Sequence, residues 1–328
     1  MTENEQPTRR GIAAFVEAAR PIHWTKNVFM AAPLLFSGRF NEPRAWAECL
    51  LAVAAFCLLG SGMYLINDVC DRRQDQAHPV KRRRPIASGR LSAPAAVAGA
   101  CVLLAAGLAL VLAVARTTWD TSQALHGAGL LVWTVCYLVM NLLYSFWLKR
   151  HAIVDVLVVA MGFVLRAMAG AAAIAVPISP WLVVCTLTLC LFIALAKRRA
   201  EIDEMPAGQA GQARPANRGY RKETLEHMLG VSAGLAIVTY CLYCLAPRTI
   251  AHIGSGHMVW TIPLVIYGTF RHYRNSQVQA ASDAVSVLVG DRIMWLVGLA
   301  YVVLTGLIIK FGSFPAVRDI LDIGETLR

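Results

Sequence analysis

Residues 60–75 read Gly60-Ser61-Gly62-Met63-Tyr64-Leu65-Ile66-Asn67-Asp68-Val69-Cys70-Asp71-Arg72-Arg73-Gln74-Asp75. An apolar run that begins near residue 45 ends here in a cluster of oxygen-bearing side chains. If the helix continues into the polar part, Asn67 and Asp71 are four apart, as are Asp71 and Asp75. Asp68 lies three before Asp71 and seven before Asp75. Those spacings put all four side chains on one face. Three like charges on one face repel, and at a membrane boundary they are costly. A divalent cation removes that cost. Mg²⁺ takes oxygen ligands and commonly uses one or two carboxylates together with substrate phosphates. The helix end therefore reads as a Mg²⁺–diphosphate cradle with Asp68, Asp71, Asp75 and Asn67 as ligands, Mn²⁺ being the alternative ion. A solvated acidic helix end balanced by Arg72 and Arg73 is the bland reading. It fits poorly in a chain with only 20 Asp and Glu among 328 residues.

Outward from this stretch the chain is unusually apolar: 57% hydrophobic against 16% charged, where a soluble domain carries about 25% charged residues. The apolar residues fall in blocks near the ~20 residues that a helix needs to cross a bilayer. Nine candidate spans result, at about 25–38, 45–66, 93–115, 125–146, 153–176, 180–197, 229–249, 257–270 and 293–312. The first and eighth are short and contain Pro33 and Pro263. This predicts an all-α integral membrane bundle of about nine transmembrane helices. Residues 1–19 form an N-terminal segment, 20–313 one transmembrane domain and 314–328 a tail. No apolar run of a cleaved signal peptide precedes the first block. The nine cysteines sit in or beside apolar blocks. The Cys241/Cys244 pair lies within a span and reads as packing rather than as a metal or redox pair.

Lysine and arginine counts orient the bundle. With the N-terminus inside, twenty-three of the 31 basic residues fall in inner segments, so the N-terminus is placed in the cytoplasm and the C-terminus outside. Two long inner loops, 67–92 and 198–228, hold 13 of the 31 basic residues in a chain of net charge +11. Part of that charge reflects topology and attraction to anionic membrane lipids. Nucleic acid is a poor partner, because no aromatic-interleaved basic module appears. Cations beside a metal-binding face suit a polyanionic substrate, since they neutralise phosphate oxygens that the metal does not reach. Gly60 and Gly62 permit close helix packing or local unwinding near the acidic face, and Gly230 and Gly234 form a small-residue packing pair. The stretch 206–218, rich in Gly, Ala, Gln and Pro, is expected to be a mobile loop over the site.

The run Asn67-Asp68-x-x-Asp71-x-x-x-Asp75 resembles the first aspartate motif of the UbiA superfamily of intramembrane prenyltransferases. Further segments narrow the likeness to its decaprenyl-phosphate phosphoribosyltransferase branch. Arg20-Pro21-Ile22-His23-Trp24-Thr25-Lys26-Asn27 resembles an RPxxWxKN motif, and His78-Pro79-Val80-Lys81-Arg82-Arg83-Arg84-Pro85-Ile86-Ala87-Ser88-Gly89 the next signature. Tyr144-Ser145-Phe146-Trp147-Leu148-Lys149 with Asp155 resembles the second motif, and Lys197-Arg198-Arg199-Ala200-Glu201 a KRxAE segment. Where aromatic prenyltransferases carry a second aspartate-rich motif, this chain leads with a lysine and two arginines, which favours an additional phosphate.

The resemblance implies Mg²⁺-dependent transfer of 5-phosphoribosyl from phosphoribosyl pyrophosphate (PRPP) to a decaprenyl or undecaprenyl phosphate. Diphosphate is released, and the product serves cell-envelope glycan synthesis. The enzyme would be a multi-pass protein of the inner (cytoplasmic) membrane with its site on the cytoplasmic side, and a homo-oligomer is compatible with the sequence. Asp68, Asp71, Asp75 and Asp155 are the expected catalytic residues. Lys26, Asn67, Lys81, Arg84, Tyr144, Lys149, Arg166, Lys197, Arg198 and Glu201 are the expected substrate contacts. Asp155 is read as a further metal ligand, a holder of ribose hydroxyls, or a partner of Lys149 or Arg150. Arg166, deep in a span, needs a partner and is expected to face a phosphate or Asp155. Two rivals remain: transfer of a prenyl group from prenyl diphosphate to an aromatic or other small acceptor, and transport of a phosphorylated lipid carrier. The second lacks the internal repeats that such transporters show.

Overall fold

The computed structural model describes residues 11–77, 80–119, 124–203, 216, 219–278, 291–312 and 314. Residues 1–10, His78, Pro79, most of 206–218 and most of the 314–328 tail, all assigned above, lie outside them. Every regular element among the described residues is helical. These are α1 (Ile12–Ala19), α2 (Ala32–Phe36), α3 (Pro43–Cys70), α4 (Arg72–Ala77), α5 (Ala93–Trp119), α6 (Ala124–Phe146), α7 (Val154–Ala173), α8 (Pro180–Asp203), α9 (Lys222–Leu245), α10 (Pro247–Ile253), α11 (Ile262–Val278) and α12 (Arg292–Phe311).

Among the described residues, seven helices are long and apolar enough to cross a membrane: α3, α5, α6, α7, α8, α9 and α12. The two short, proline-bearing candidates take another form. Residues Pro21–Ala31 are a 3₁₀ helix that runs into α2, and His257–Thr261 a 3₁₀ helix that runs into α11. In both, α geometry begins one residue before a proline, Pro33 or Pro263, where the missing N–H falls in the first turn and breaks no helical bond. A 3₁₀ helix rises about 2.0 Å per residue against about 1.5 Å for an α-helix. The 3₁₀ segment Pro21–Ala31 thus extends roughly 22 Å over its 11 residues. The second forms a pair with α10, bent by 98° from it.

The chain packs as two compact units, each discontinuous in sequence. The first comprises the chain through Ala32, Arg44–His151 and Leu165–Pro177; the second comprises Pro33–Pro43, Ala152–Val164 and the chain from Ile178 onward. Apolar blocks carry no mark of this division, because both units have the same lipid-compatible composition.

In the first unit α3 is central. Ala52, Ala55, Phe56 and Leu59 pack on Met30, on Val111 and Val114 of α5, on Leu130 and Tyr137 of α6, and on Leu165, Ala169 and Ala172 of α7. Gly62 serves packing, and α3 does not unwind beside it. A Cβ there would lie 2.9 Å from Leu104 and 3.2 Å from the Ala100 carbonyl. In the second unit α8 and α9 pack through Phe192, Leu195, Leu225 and Leu229. The Thr188 and Thr239 hydroxyls meet at 3.0 Å. Gly230 and Gly234, expected to pack, have no described atom within 4 Å of a Cβ position, so they face away from their own unit. The loops are also shorter than expected. Residues 198–203 belong to α8, and 67–92 contains the end of α3, α4 and a 3₁₀ turn at Lys81–Arg83.

Candidate active site

The structure gathers the predicted site residues into two clusters, one in each unit. In the first, helical bonding persists past the end of α3: the Asp71 N–H donates to the Asn67 carbonyl at 2.9 Å and the Asp75 N–H to the Asp71 carbonyl at 2.8 Å. At about 100° per residue the four polar side chains then lie in the order 67, 71, 75, 68 across an arc of roughly 100°. That order explains a split the spacing alone hides. Asn67 and Asp71 take Lys149, whose Nζ lies 3.2 Å from Asn67 Oδ1 and 2.5 Å from Asp71 Oδ1. Asp68 and Asp75 take Arg84, whose Nη1 lies 3.2 Å from Asp68 Oδ1 and 2.7 Å from Asp75 Oδ2.

Asp68 has a second cation that the expected site lacked. Arg20 Nη2 sits 2.6 and 2.7 Å from its two carboxylate oxygens. Arg20 adopts the left-handed conformation (φ 53°) at the end of α1, which costs a non-glycine residue roughly 1–2 kcal/mol and aims the side chain at α3. It begins a ladder of contacts that runs antiparallel to α3. Trp24 Nε1 donates to Ser61 Oγ at 3.0 Å, and Asn27 Nδ2 to Cys57 Sγ at 3.2 Å. The 3₁₀ segment thereby lays Arg20, Trp24 and Asn27 along one helix. The motif RPxxWxKN signalled these residues, but not which of them reaches the acidic face.

Asp68 and Asp75 are buried. Burial holds the Asp75 carboxyl above the ordinary carboxylate range, an effect that Arg84 and Lys81 oppose and Asp68 reinforces. The loop carrying Arg84 is built in rather than free. Gln76 Nε2 donates to the Ala87 carbonyl at 3.1 Å, and Ile86 is buried with Leu65, Ala14 and Ala18. Arg90 grips Glu17 through two 2.7 Å bonds.

A divalent ion was expected to relieve the repulsion among Asp68, Asp71 and Asp75. In the structure Arg20, Arg84 and Lys149 also stand against these carboxylates. No three His, Cys, Asp or Glu side chains among the described residues converge on a metal position. Asp68 and Asp75 nevertheless offer oxygens to one shared nitrogen. A two-carboxylate site that leaves its other positions to phosphate and water is what Mg²⁺ commonly uses, so the residues fit the ion as a pair rather than as the four-ligand set.

Arg166 was expected to face a phosphate or Asp155. Its Nε donates to Asn27 Oδ1 and its Nη2 to Tyr137 Oη, both at 2.8 Å, and its guanidinium lies over the Tyr137 ring. Asn27 faces Cys57, eleven residues and roughly 16 Å of helix from Asp68. Arg166 thus holds the 3₁₀ segment, α6 and α7 together inside the span, away from the acidic face. Lys26 Nζ lies 3.5 Å from Tyr64 Oη, and Tyr144 is half-buried near the end of α6.

In the second unit Asp155 is fully buried at the start of α7. Arg198 Nε donates to Asp155 Oδ2 at 2.6 Å, and Arg198 Nη1 pairs with Glu201 one turn on. Tyr220, absent from the expected site, donates to Asp155 Oδ1 at 2.8 Å and accepts the Ile153 N–H at 2.6 Å. Burial, with Asp155 beside it, pushes the Tyr220 phenol up, so the hydroxyl stays a donor. Ile153 is a β-branched residue at φ 69°, a strained position that the Tyr220 hydroxyl helps to hold. Arg199 points elsewhere, to Glu226 at 3.0 Å and the Ser276 carbonyl at 3.3 Å, while Lys197 is half-buried on the same turn of α8.

Comparison with known proteins agrees with the motif resemblance. Residues 28–297 match the UbiA prenyltransferase family. Decaprenyl-phosphate phosphoribosyltransferase of Mycolicibacterium smegmatis is 30% identical over 326 residues, 95% of this chain and 98% of that one. The protein of the same name from Mycobacterium tuberculosis is 32% identical over 312 residues, 94% and 98% of the two chains. Among solved structures, a UbiA homolog from Archaeoglobus fulgidus bound to DMAPP and Mg²⁺ superposes with a TM-score of 0.66 at 15% identity. That match covers 91% of this chain and 99% of the other, and it supports the fold.

Proposed function

The chain belongs to the UbiA prenyltransferase family, and on that premise we propose that it transfers 5-phosphoribosyl from PRPP to a long-chain polyprenyl phosphate at the inner face of the cytoplasmic membrane. The observation that carries the reading is the basic complement of the acidic face. Arg20, Arg84 and Lys149 stand directly against Asp68, Asp71 and Asp75. A site for a substrate bearing both a diphosphate and a further phosphate needs cations as much as carboxylates. The names of the two mycobacterial relatives support the same substrate pair.

Asp68 and Asp75 would hold Mg²⁺, which when bound draws charge from the diphosphate and makes it a better leaving group. Arg84 and Lys149 lie beside the carboxylates and would contact phosphate oxygens. Lys81, on the same turn as Arg84, adds a further cation. In the reaction the bond between ribose C1 and the diphosphate oxygen breaks, and a bond from C1 to the lipid phosphate oxygen forms. That oxygen is already anionic at about pH 7, so no side chain need remove a proton. The chain's residues act by orientation and charge. Asp155, fixed by Arg198 and Tyr220, orders the start of α7.

Purified protein in lipid nanodiscs, given Mg²⁺, ribose-labelled PRPP and polyprenyl phosphate, is expected to move label into the organic phase and release diphosphate only when the lipid is present. Absence of labelled lipid, with turnover of a prenyl diphosphate and an aromatic acceptor, would replace this reading by prenyl transfer.

A further inference from the structure

Among the described residues, Arg84 bridges Asp68 and Asp75, and Arg198 bridges Asp155 and Glu201. Their surroundings differ. The Arg198 side chain is 4% exposed and Asp155 is 0%, so withdrawing that guanidinium would strand buried charges, a change that typically costs about 3–5 kcal/mol. The Arg84 side chain is 27% exposed and hangs from a polar turn outside the spanning helices, with solvent on one side.

In the first cluster Asp68, Asp71 and Asp75 are already matched by Arg20, Arg84 and Lys149, and Lys81 also acts on Asp75. A bare divalent ion entering beside these cations would bring two uncompensated charges, which is unfavourable away from water. Either a resident cation must leave or an anion must enter with the metal. Arg20 is the worse candidate to leave, because it is anchored by the backbone at the end of α1 and stacks over Tyr64 at 5.2 Å. Lys149 is the more buried of the remaining two, at 10%.

We propose that Arg84 is an exchangeable stand-in for the divalent ion. Without metal, its Nη1 occupies the position between Asp68 and Asp75. When the metal enters, the guanidinium swings out to the phosphate oxygens that accompany it. Metal and polyphosphate therefore bind as one unit, and neither binds well alone. Arg198 stays in place, so the carboxylates of the second unit take no divalent ion. This rests on the metal role proposed for Asp68 and Asp75, and it requires neither PRPP nor the lipid.

The test is Mn²⁺ binding to the full-length protein in nanodiscs, followed by electron paramagnetic resonance, with and without inorganic diphosphate. Wild type is expected to bind Mn²⁺ about tenfold more tightly with diphosphate than alone. Arg84→Gln is expected to bind Mn²⁺ alone about tenfold more tightly than wild type, and to gain less from diphosphate. Asp68→Asn should lower binding in both conditions. Arg84→Gln binding Mn²⁺ alone no more tightly than wild type overturns the proposal. Should that variant fail to fold, phenylglyoxal labelling of wild-type Arg84 gives the same answer. A rise in labelling on adding Mn²⁺ supports release of the guanidinium, and no change contradicts it. Failure here with phosphoribosyl transfer intact would remove the stand-in and leave the transferase reading standing.

Discussion

Asp68 is the most heavily engaged carboxylate of the first cluster, buried and shared by Arg20 and Arg84. Asp68→Asn keeps the shape and removes the charge, so turnover should fall by at least about 100-fold. The protein should still insert and keep its helical signal; near-normal rates in the phosphoribosyl assay would remove the metal pair from the account. Tyr137 is predicted to behave differently. Its hydroxyl accepts from Arg166 within the span, and Tyr137→Phe leaves a buried donor short. Stability should drop by about 1–3 kcal/mol, read as a lower thermal midpoint, while KM for PRPP stays unchanged. At this scale the sequence was half legible. Helical arithmetic put Asn67, Asp68, Asp71 and Asp75 on one face, and charge pointed to Arg84 and Lys149. The partners Arg20, Tyr137 and Tyr220 were not legible in the same way, because each acts across 29 or more residues of chain and no local spacing encodes that. Arg166 was expected to face a phosphate or Asp155 because a buried arginine demands a partner. The Asn27 amide and the Tyr137 phenol are among its partners in the structure.

The 3₁₀ segment Pro21–Ala31 presses its backbone against α7: a Cβ at Gly170 would lie 2.1 Å from the Met30 carbonyl oxygen. A backbone atom cannot rotate away as a side chain can. Gly170→Ala should therefore displace the segment and lower stability by about 1–3 kcal/mol, with loss of activity as Arg20 shifts from Asp68. An unchanged thermal midpoint would contradict this packing. Hydropathy located the segment but not its geometry. Pro33 and Pro263 flagged both unusual candidates, yet a proline marks where α geometry can begin and does not disclose that a 3₁₀ helix precedes it. In the same way, the KRxAE segment was read as the start of a loop because its charges end the apolar run. It remains helical because Arg198 and Arg199 are each paired with carboxylates.

For the whole molecule, seven helices among the described residues are long and apolar enough to cross a membrane, or eight if α10 and the segment His257–Ser276 form one bent span; the nine crossings proposed from the sequence would place the chain ends on opposite sides. Reporter fusions should show the N-terminus in the cytoplasm and the C-terminus outside; both ends on one side would contradict the nine-span reading. The all-helical membrane fold was plain from composition and block length. The division into two interleaved units was not, since it depends on which helices touch. The central claim is that lipid phosphate is the acceptor and PRPP the donor. The direct measurement is a competition: purified protein with Mg²⁺, PRPP, polyprenyl phosphate, a prenyl diphosphate and an aromatic acid together, with the lipids identified by mass spectrometry. The account predicts that polyprenyl phosphate gains one phosphoribosyl unit and that the aromatic acid is untouched. A prenylated aromatic product with unmodified polyprenyl phosphate would contradict it.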